Sequence, residues 1–267
     1  MQVVLLCGGQ GTRIRDVTED IPKPMIPIGG QPILWHIMKV YAEFGHVDFV
    51  LCLGYKSWAI KRFFLEYHLT QADLCLSLGK QESMEIHGQS MPENWHVTLA
   101  ETGLDTMTGG RLKRIEKYIR GDTFLVTYGD GLADVNLDDL VAFHHRHGKM
   151  ATVTAVRPPG RFGEIELQDG RVVDFSEKPL LSRGYINGGF FVFNRNIFKR
   201  LSNDPGLILE QTPLYQLARD GELMAFPHHG FWHPMDSSRD FRYLNELWDQ
   251  RNAPWRVWGG AKLRVAA

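Results

Sequence analysis

The sequence predicts an α/β fold built on a mostly parallel central sheet. Short runs rich in valine, leucine and phenylalanine, at residues 2–6, 47–53 and 124–128, have the composition of strands buried on both faces. Segments in which apolar residues recur at helical spacing separate these runs. Beyond Arg157 the pattern changes to short strands joined by turn residues, which is typical of antiparallel pairing. The predicted fold is therefore Rossmann-like, with helices flanking the sheet and a smaller antiparallel β-rich lobe.

Strands and helices alternate through the first 130 residues, which is the order of a doubly wound sheet. Apolar periodicity, proline at a helix start and glycine at a helix end set the boundaries. We predict helices at 32–45, at about 57–69 with Ser57 as cap, and around 112–119, strands at 74–78 and 97–99, and a loop at 79–95.

The second half combines helices with the antiparallel strands. A hairpin turn is expected at residues 169–170, because Asp-Gly between two β-rich runs favours a tight turn. We predict helices at 137–147, 196–202, 212–219 and 241–251, and strands at 151–156, 164–167, 171–175, 185–193 and 223–226.

Length, charge and cysteine usage limit the class of protein. The chain of 267 residues carries 30 Lys and Arg against 31 Asp and Glu, so its net charge of -1 gives no reason to expect nucleic acid or an anionic membrane as partner. It has neither an apolar run long enough to span a membrane nor a signal peptide, and we expect a cytoplasmic protein. Cys7, Cys52 and Cys75 lie in apolar stretches without CxxC spacing and are expected to be buried. We expect one domain over residues 1–258, divided near residue 150, and a tail at 259–267.

A glycine-rich loop follows the first strand. Gly8, Gly9 and Gly11 allow positive φ and let backbone amides approach an anion closely. Arg13 adds a fork of donors, and Lys23 adds a point charge held between two prolines. Two cations beside a glycine loop suit a triphosphate, although the same glycines could form an ordinary turn. The spacing matches neither the P-loop nor the dinucleotide-binding pattern.

Three later segments could complete a site. A Thr- and Gly-rich stretch leads into a helix with Arg111 in its first turn, which is either an anion site or a simple capped helix. Asp130 follows a strand between two glycines, where a carboxylate can reach a metal bound to phosphates or form an Asx turn. Asp236 ends an aromatic loop and could be a second metal ligand or a helix cap.

Two further patterns bear on ligand binding. Lys178 and Asn187 would lie close together if the strand before Lys178 pairs with the strand at 185–193, and they would then suit a sugar phosphate. The alternative is an exposed lysine without a role. His144 and His147 share a predicted helix face, but without Cys, Asp or Glu at metal-site spacing a solvated face is favoured over a zinc site.

A set of motifs runs collinearly from Met1 to about Trp258: G-G-Q-G-T-R, P-K-P-M, T-x-x-x-M-T-G-G-R-L-K-R, T-Y-G-D-G, P-P-G-R-F-G, E-K-P, I-N-G-G-F-F-V-x-N and G-F-W-x-P-M-D. Taken together, these motifs resemble the sugar-1-phosphate nucleotidyltransferase family. The Q-x-x-P-x-G-L signature of thymidylyl- and uridylyl-transferring members is absent, so the cytidylyl-transferring branch fits better.

This resemblance implies CTP and α-D-glucose 1-phosphate as substrates, Mg²⁺ as cofactor and a homo-oligomer. It implies a nucleotide-binding part at about 1–150 and a sugar-phosphate-binding part at about 151–258. The implied nucleotide contacts are Leu6, Cys7, Gly8, Gly9, Gln10, Gly11, Thr12, Arg13, Lys23, Thr106, Arg111 and Gly129. The implied sugar-phosphate contacts are Glu177, Lys178, Asn187 and Gly188, the metal ligands are Asp130 and Asp236, and the catalytic residues are Arg13, Lys23 and Asp130.

The chain departs from the family pattern in two places. Cys7 stands where the family usually has alanine, which is small enough to keep the loop but could add sensitivity to oxidation. Residues 79–95 match only loosely, which leaves subunit contacts open.

The chemistry implied by the resemblance agrees with the residues present. A sugar phosphate has a second pKa of about 6 and is mostly a dianion at neutral pH, so its attack on the α-phosphorus needs no base. A nicotinamide oxidoreductase would need GxGxxG, which is absent. A non-catalytic regulatory protein would be expected to lack Asp130, Asp236 or Lys178, and all three are present. We therefore predict direct in-line displacement without a covalent enzyme intermediate.

Overall fold

One mixed sheet organises the computed structural model, which describes residues 1–11, 20–79, 82–88, 93–158, 164–168, 171–176 and 184–259. Eight strands belong to this sheet, and the remaining strands of the described residues form two-stranded ladders. In chain order the strands are β1 (Gln2–Leu6), β2 (Pro27–Ile28), β3 (Gln31–Pro32), β4 (Asp48–Leu53), β5 (Asp73–Leu78), β6 (Glu82–His87), β7 (His96–Glu101), β8 (Thr123–Tyr128), β9 (Gly131–Ala133), β10 (Ala151–Val156), β11 (Glu164–Gln168), β12 (Arg171–Ser176), β13 (Ile186–Asn187), β14 (Phe191–Asn194), β15 (Leu223–His228) and β16 (Trp232–Pro234).

Helices cover both faces of the sheet. The α-helices are α1 (Ile33–Glu43), α2 (Ser57–Glu66), α3 (Thr108–Arg114), α4 (Leu137–His147), α5 (Thr212–Arg219) and α6 (Ser238–Asp249), and short 3₁₀ helices lie at Lys23–Met25, Leu69–Gln71, Glu116–Tyr118 and Arg195–Arg200. Among the helices of the described residues, none has both the length and the apolar composition that crossing a bilayer requires.

The strand order confirms the predicted parallel centre. β7, β4, β1 and β8 are neighbours and run parallel, β14 is antiparallel to β8, and β10 follows β14. Because β15 lies along one side of β10 over its whole length, β13 and β14 share the other side. The predicted strand at 185–193 is thus interrupted, at the point where Gly189 and Phe190 have φ of 74° and 48°.

Successive residues of the central strands point to two separate apolar cores. Val3 and Leu5 pack with α1 and α6 on one face, whereas Val4 and Leu6 pack with α3 and α5 on the other. This alternation explains why the strand at 2–6 is apolar at every position from Val3 to Leu6. The sheet is the middle layer of three, as the sequence predicts.

The prediction of a loop at 79–95 is wrong in part, because β6 lies within this range and pairs with β5 to form a separate hairpin. One face of this hairpin carries Leu74 opposite Ile86 and Leu76 opposite Met84, and all four side chains are exposed. Cys75, predicted to be buried, is also exposed because it lies on the opposite face, which no other element covers within the described structure.

Some local predictions also need correction. α2 begins at Ser57 itself, with Lys56 at positive φ (48°) as its N-cap. α3 ends at Arg114, before Ile119. His144 is buried rather than on a solvated face, with its Nδ1 2.8 Å from the Thr152 hydroxyl.

The pairing predicted to join Lys178 and Asn187 is not observed. β12 pairs with β11, while β13, which contains Asn187, pairs with β10. Asn187 therefore reaches the carboxyl end of the central sheet through its ladder with β10.

Candidate active site

A cleft of about 420 Å³ opens at the carboxyl ends of β1 and β8, where a doubly wound sheet binds its ligands. Thr127, Tyr128, Trp232 and Pro234 also line it, and the sequence analysis missed all four. Thr127 and Tyr128 belong to the motif T-Y-G-D-G, and Trp232 and Pro234 belong to G-F-W-x-P-M-D, so the motifs contained the signal although no role was predicted for these residues. Of the predicted site residues, the cleft brings together Leu6, Cys7, Gly9, Gly11, Lys23, Gly129, Asp130, Gly188 and Asp236.

Several predicted site residues are not found in the cleft lining. Gly8 and Gln10 are part of the glycine loop but do not line the cleft, and Thr106 and Arg111 lie behind this loop. Thr12, Arg13, Glu177 and Lys178 lie outside the described residues, and their roles stay predictions.

Lys23 joins the two carboxylates that were predicted to bind metal. Its Nζ lies 2.6 Å from Asp130 Oδ2 and 2.5 Å from Asp236 Oδ1, and the lysine side chain is only 12% exposed. Burial alone would lower the pKa of Lys23, but the charge and hydrogen bonds of Asp130, together with those of Asp236, raise it above its ordinary value. The ammonium group is therefore held in the charged form between the two acids.

This arrangement fits a divalent cation. A single nitrogen within hydrogen-bonding range of both carboxylates puts their oxygens within reach of one cation, and carboxylate oxygens are the ligands that Mg²⁺ prefers. No group of three or more His, Cys, Asp or Glu residues that could hold a metal occurs among the residues that the structure describes. A cation on Asp130 and Asp236 would thus take its remaining ligands from water or substrate, as Mg²⁺ commonly does.

A short ladder brings Asp130 and Asp236 together although they are far apart in sequence. β9 follows Asp130 directly and pairs antiparallel with β16, which ends two residues before Asp236. The amide of Met235 donates to the carbonyl of Asp130 at 2.8 Å, which closes the ladder beside the two acids. The β9–β16 ladder therefore sets the spacing of the carboxylates.

The start of α6 holds the backbone of Asp236. Ser237, not Asp236, is the N-cap, and the Asp240 carboxylate accepts from the Asp236 amide at 3.1 Å and from the Ser237 hydroxyl at 2.8 Å. His233 lies 3.0 Å from the same carboxylate. Burial would raise the pKa of Asp240, but the hydrogen bonds from Ser237 and His233 lower it. The alternative that Asp236 caps the helix is wrong, and its side chain faces the cleft.

Arg111 lies beneath the glycine loop and is 4% exposed. Its Nη2 donates to the carbonyl of Gly8 at 2.9 Å, and a Cβ on Gly8 would lie 2.1 Å from its Nη1. Further acceptors of the guanidinium are the carbonyls of Leu53, Gly103 and Leu104 and the hydroxyl of Thr102. The guanidinium thus bonds to the backbone at the carboxyl ends of β1, β4 and β7. Its direct contact with a nucleotide stays a prediction.

The sequence left the start of α3 open as an anion site or a simple capped helix, and in the structure no side chain caps it. The amides of Met107 and Gly110 donate to the carbonyls of Pro205 and Leu207, and Met107 provides no side-chain cap. Thr106, beside this start, is buried and accepts from Arg114 at 2.9 Å. A later segment of the chain therefore covers this helix end.

Cys7 is buried at the base of the loop, with 1% of its surface exposed. Burial raises the pKa of its thiol well above the ordinary value, so the reactive thiolate is strongly disfavoured. The oxidation sensitivity considered from the sequence is therefore not supported.

Comparisons with known proteins identify the family of the chain. A model of the family described as nucleotidyl transferase matches residues 2–233. A glucose-1-phosphate cytidylyltransferase of Salmonella typhi is 49% identical over 97% of this chain and 100% of its own length. A probable glucose-1-phosphate cytidylyltransferase of Bacillus subtilis is 46% identical over 97% of this chain and 100% of its own. The crystal structure of HddC from Yersinia pseudotuberculosis has a TM-score of 0.66 at 23% identity, covering 92% of this chain and 99% of that one, and supports the fold alone.

We predict that Arg111→Lys destabilises the protein by at least about 2 kcal/mol. Lysine keeps the charge, but one ammonium cannot reach the acceptors that the guanidinium joins, and each buried carbonyl left unpaired costs about 1–3 kcal/mol. Urea unfolding measures the change. The matched control is Arg120→Lys, since Arg120 is exposed and its side chain pairs with Asp48, and we expect it to change stability by less than about 1 kcal/mol. Equal stability of the two variants would contradict the structural role of Arg111.

Proposed function

Because the chain belongs to the nucleotidyl transferase family, we propose that it transfers CMP from CTP to α-D-glucose 1-phosphate, giving CDP-glucose and pyrophosphate. The observation that carries this proposal is the alignment, over nearly the whole chain, with relatives named glucose-1-phosphate cytidylyltransferase. The cleft supports it with a glycine loop, one lysine and two carboxylates at the predicted edge of the sheet.

The nucleotide is proposed to bind at the glycine loop. Backbone amides of residues 8–11 would receive its phosphates, and Arg111 would act from below by fixing the carbonyl of Gly8. Arg13, Lys23 and Asp130 are the proposed catalytic residues, and Leu6, Cys7, Thr12, Thr106 and Gly129 the further nucleotide contacts. Arg13 would add a second cation close to the phosphates.

Asp130 and Asp236 would hold Mg²⁺. When bound there, the ion would supply charge neutralisation on the phosphates as pyrophosphate leaves. Lys23 can turn from the two carboxylates to the phosphates once the acids bind the cation. Its present ion pairs therefore keep the ammonium within one side-chain movement of the reacting groups.

The sugar phosphate is proposed to bind on the other side of the cleft. Glu177, Lys178, Asn187 and Gly188 would contact it, within the second part of a single domain over residues 1–258. Its phosphate is already a dianion at neutral pH, so no residue has to remove a proton from it. The residues have to align its oxygen with the α-phosphorus and to neutralise the charge on the phosphates. Direct in-line displacement satisfies these requirements without a covalent intermediate.

The test of the function is pyrophosphate release with Mg²⁺ and glucose 1-phosphate across CTP, UTP, dTTP, ATP and GTP. We expect a clear preference for CTP, because a pocket that hydrogen-bonds the cytosine amine leaves polar groups unpaired with other bases. A preference for UTP or dTTP would move the protein to a thymidylyl- or uridylyl-transferring branch. Release with none of the nucleotides would favour a non-catalytic regulatory protein.

Substitutions of the two acids test the metal site. We expect Asp130→Asn and Asp236→Asn each to lower turnover at least about 100-fold, equivalent to about 2.7 kcal/mol.

Lys23→Met should lower the melting temperature of the substrate-free protein, because both carboxylates lose their counter-charge. Added Mg²⁺ or Mn²⁺ should then raise that temperature more in Lys23→Met than in the wild type. Unchanged turnover in both Asn variants, or no metal effect on melting, would rule out the assignment.

We also propose that the protein is a homo-oligomer in which a second copy covers the apolar face of the β5–β6 hairpin. Leu74, Leu76, Leu78, Met84 and Ile86 are 39% to 87% exposed and share that face. A two-stranded hairpin is marginally stable alone, and so large an apolar face on one is typical of an interface. A cytoplasmic location is supported by three unpaired cysteines.

Charge placed on either face of the hairpin tests the interface. We expect Leu76→Glu with Met84→Glu to lower the molar mass in light scattering, because two buried carboxylates would be uncompensated. Ser77→Glu with Ser83→Glu places the same charges on the opposite face and should leave the mass unchanged. A wild type that is monomeric, or equal masses for both variants, would exclude this interface.

A further inference from the structure

Glu210 lies behind the cleft and anchors a chain of hydrogen bonds that reaches its edge. Tyr128, which lines the cleft, donates its hydroxyl proton to Glu210 Oε1 at 2.6 Å. Thr108, in the first turn of α3, donates to Glu210 Oε2 at 2.6 Å. Asn187 Nδ2 donates in turn to the Tyr128 hydroxyl at 3.0 Å. The carboxylate thus connects the start of α3 to a residue proposed to contact the sugar phosphate.

The chemistry of these groups fixes the direction of every bond in the chain. An ionised carboxylate only accepts, so the protons of Thr108 and Tyr128 both point to Glu210. The tyrosine oxygen can then only accept, which requires the amino end of the Asn187 amide to face it. The carbonyl end of that amide faces the other way and accepts from the Gly189 amide at 2.9 Å. The charge of Glu210, acting through Tyr128, and the Gly189 amide therefore favour the same orientation of Asn187.

The tyrosine ring itself is held independently of Glu210. It makes an edge contact with Phe191 at 6.0 Å between centroids, and a Cβ on Gly189 would lie 3.0 Å from its Cδ2. Burial, together with the Glu210 charge, raises the pKa of Tyr128 above its ordinary range and keeps the hydroxyl protonated. Loss of the Glu210 charge would thus free a proton without moving the ring.

We propose that Glu210 is a positioning residue for the sugar phosphate, which acts through Tyr128 to hold the Asn187 amide in one orientation. In that orientation one N–H and one oxygen lone pair of Asn187 are left to bind a sugar hydroxyl or a phosphate oxygen. The inference rests on the proposed function, because it takes Asn187 as a contact of glucose 1-phosphate. Glu210 touches no substrate itself.

The substitution Glu210→Gln separates orientation from packing. Glutamine keeps the size, but its amino group can donate to the Tyr128 oxygen and turn the Tyr128 proton toward the Asn187 amino group. The bond from Asn187 to Tyr128 is then lost, and the Gly189 amide is left to hold the Asn187 orientation without Tyr128. We expect KM for glucose 1-phosphate to rise about 5- to 20-fold, the range of one hydrogen bond to a substrate, while KM for CTP changes less than about 2-fold. Tyr128→Phe should have a similar effect, and the double variant should be no worse than either single variant.

Glu222→Gln is the control for loss of a partly buried carboxylate elsewhere, since Glu222 accepts from the Met150 amide and pairs with Lys149. We expect it to leave both KM values unchanged. Equal increases for the two substrates in Glu210→Gln, or additive effects of Tyr128→Phe and Glu210→Gln, would overturn the inference.

A second measurement does not depend on activity. The ¹⁵N side-chain amide resonance of Asn187, assigned by its loss in Asn187→Asp, should shift in Glu210→Gln and not in Glu222→Gln. An unshifted resonance would overturn the inference even in an active enzyme. A shifted resonance in a protein that makes no CDP-glucose would support the positioning of Asn187 and reject the proposed function instead.

Discussion

The buried guanidinium of Arg111 is the interaction on which the geometry of the cleft depends. A charge inside a protein is costly unless polar groups surround it, and here the carbonyls of Gly8, Leu53, Gly103 and Leu104 do so. These carbonyls lie at or just beyond the carboxyl ends of the neighbouring parallel strands β1, β4 and β7, so one planar group sets the relative positions of the segments that form the floor of the cleft. The loop keeps its shape because its glycine leaves room for the guanidinium.

Arg111 and Lys23, the two described cations of the site, differ in how freely their side chains can move. That difference suits phosphoryl transfer. Arg111 is fixed by backbone acceptors and contributes a permanent positive potential under the loop. Lys23 is balanced by Asp130 and Asp236, whose positions are set by the β9–β16 ladder and the cap of α6. The site therefore combines one positive charge that the backbone holds with another that two carboxylates balance.

The parts of the fold that the sequence predicts well are those whose signal is local. β1 and β8 are rich in apolar residues because both faces are covered, and α4 has Asn136 as its N-cap and Gly148 as its C-cap. The β6 strand was missed because Met84 and Ile86 are its only apolar residues, and they stand among polar residues in a stretch that also contains Pro92. The acceptors of Arg111 and the partner of Tyr128 could not be predicted, because they come from segments distant in sequence that only the folded chain brings together.

The position of β14 between β8 and β10 has a consequence for synthesis on the ribosome. β8 is complete at Tyr128, but its second neighbour is not complete until Asn194 has been added. At roughly 5–20 residues per second, the open edge of β8 waits several seconds for its partner. During that interval Phe124 and Val126 lack Phe191 and Phe193, so the nascent chain exposes an apolar strand edge of the kind that chaperones bind.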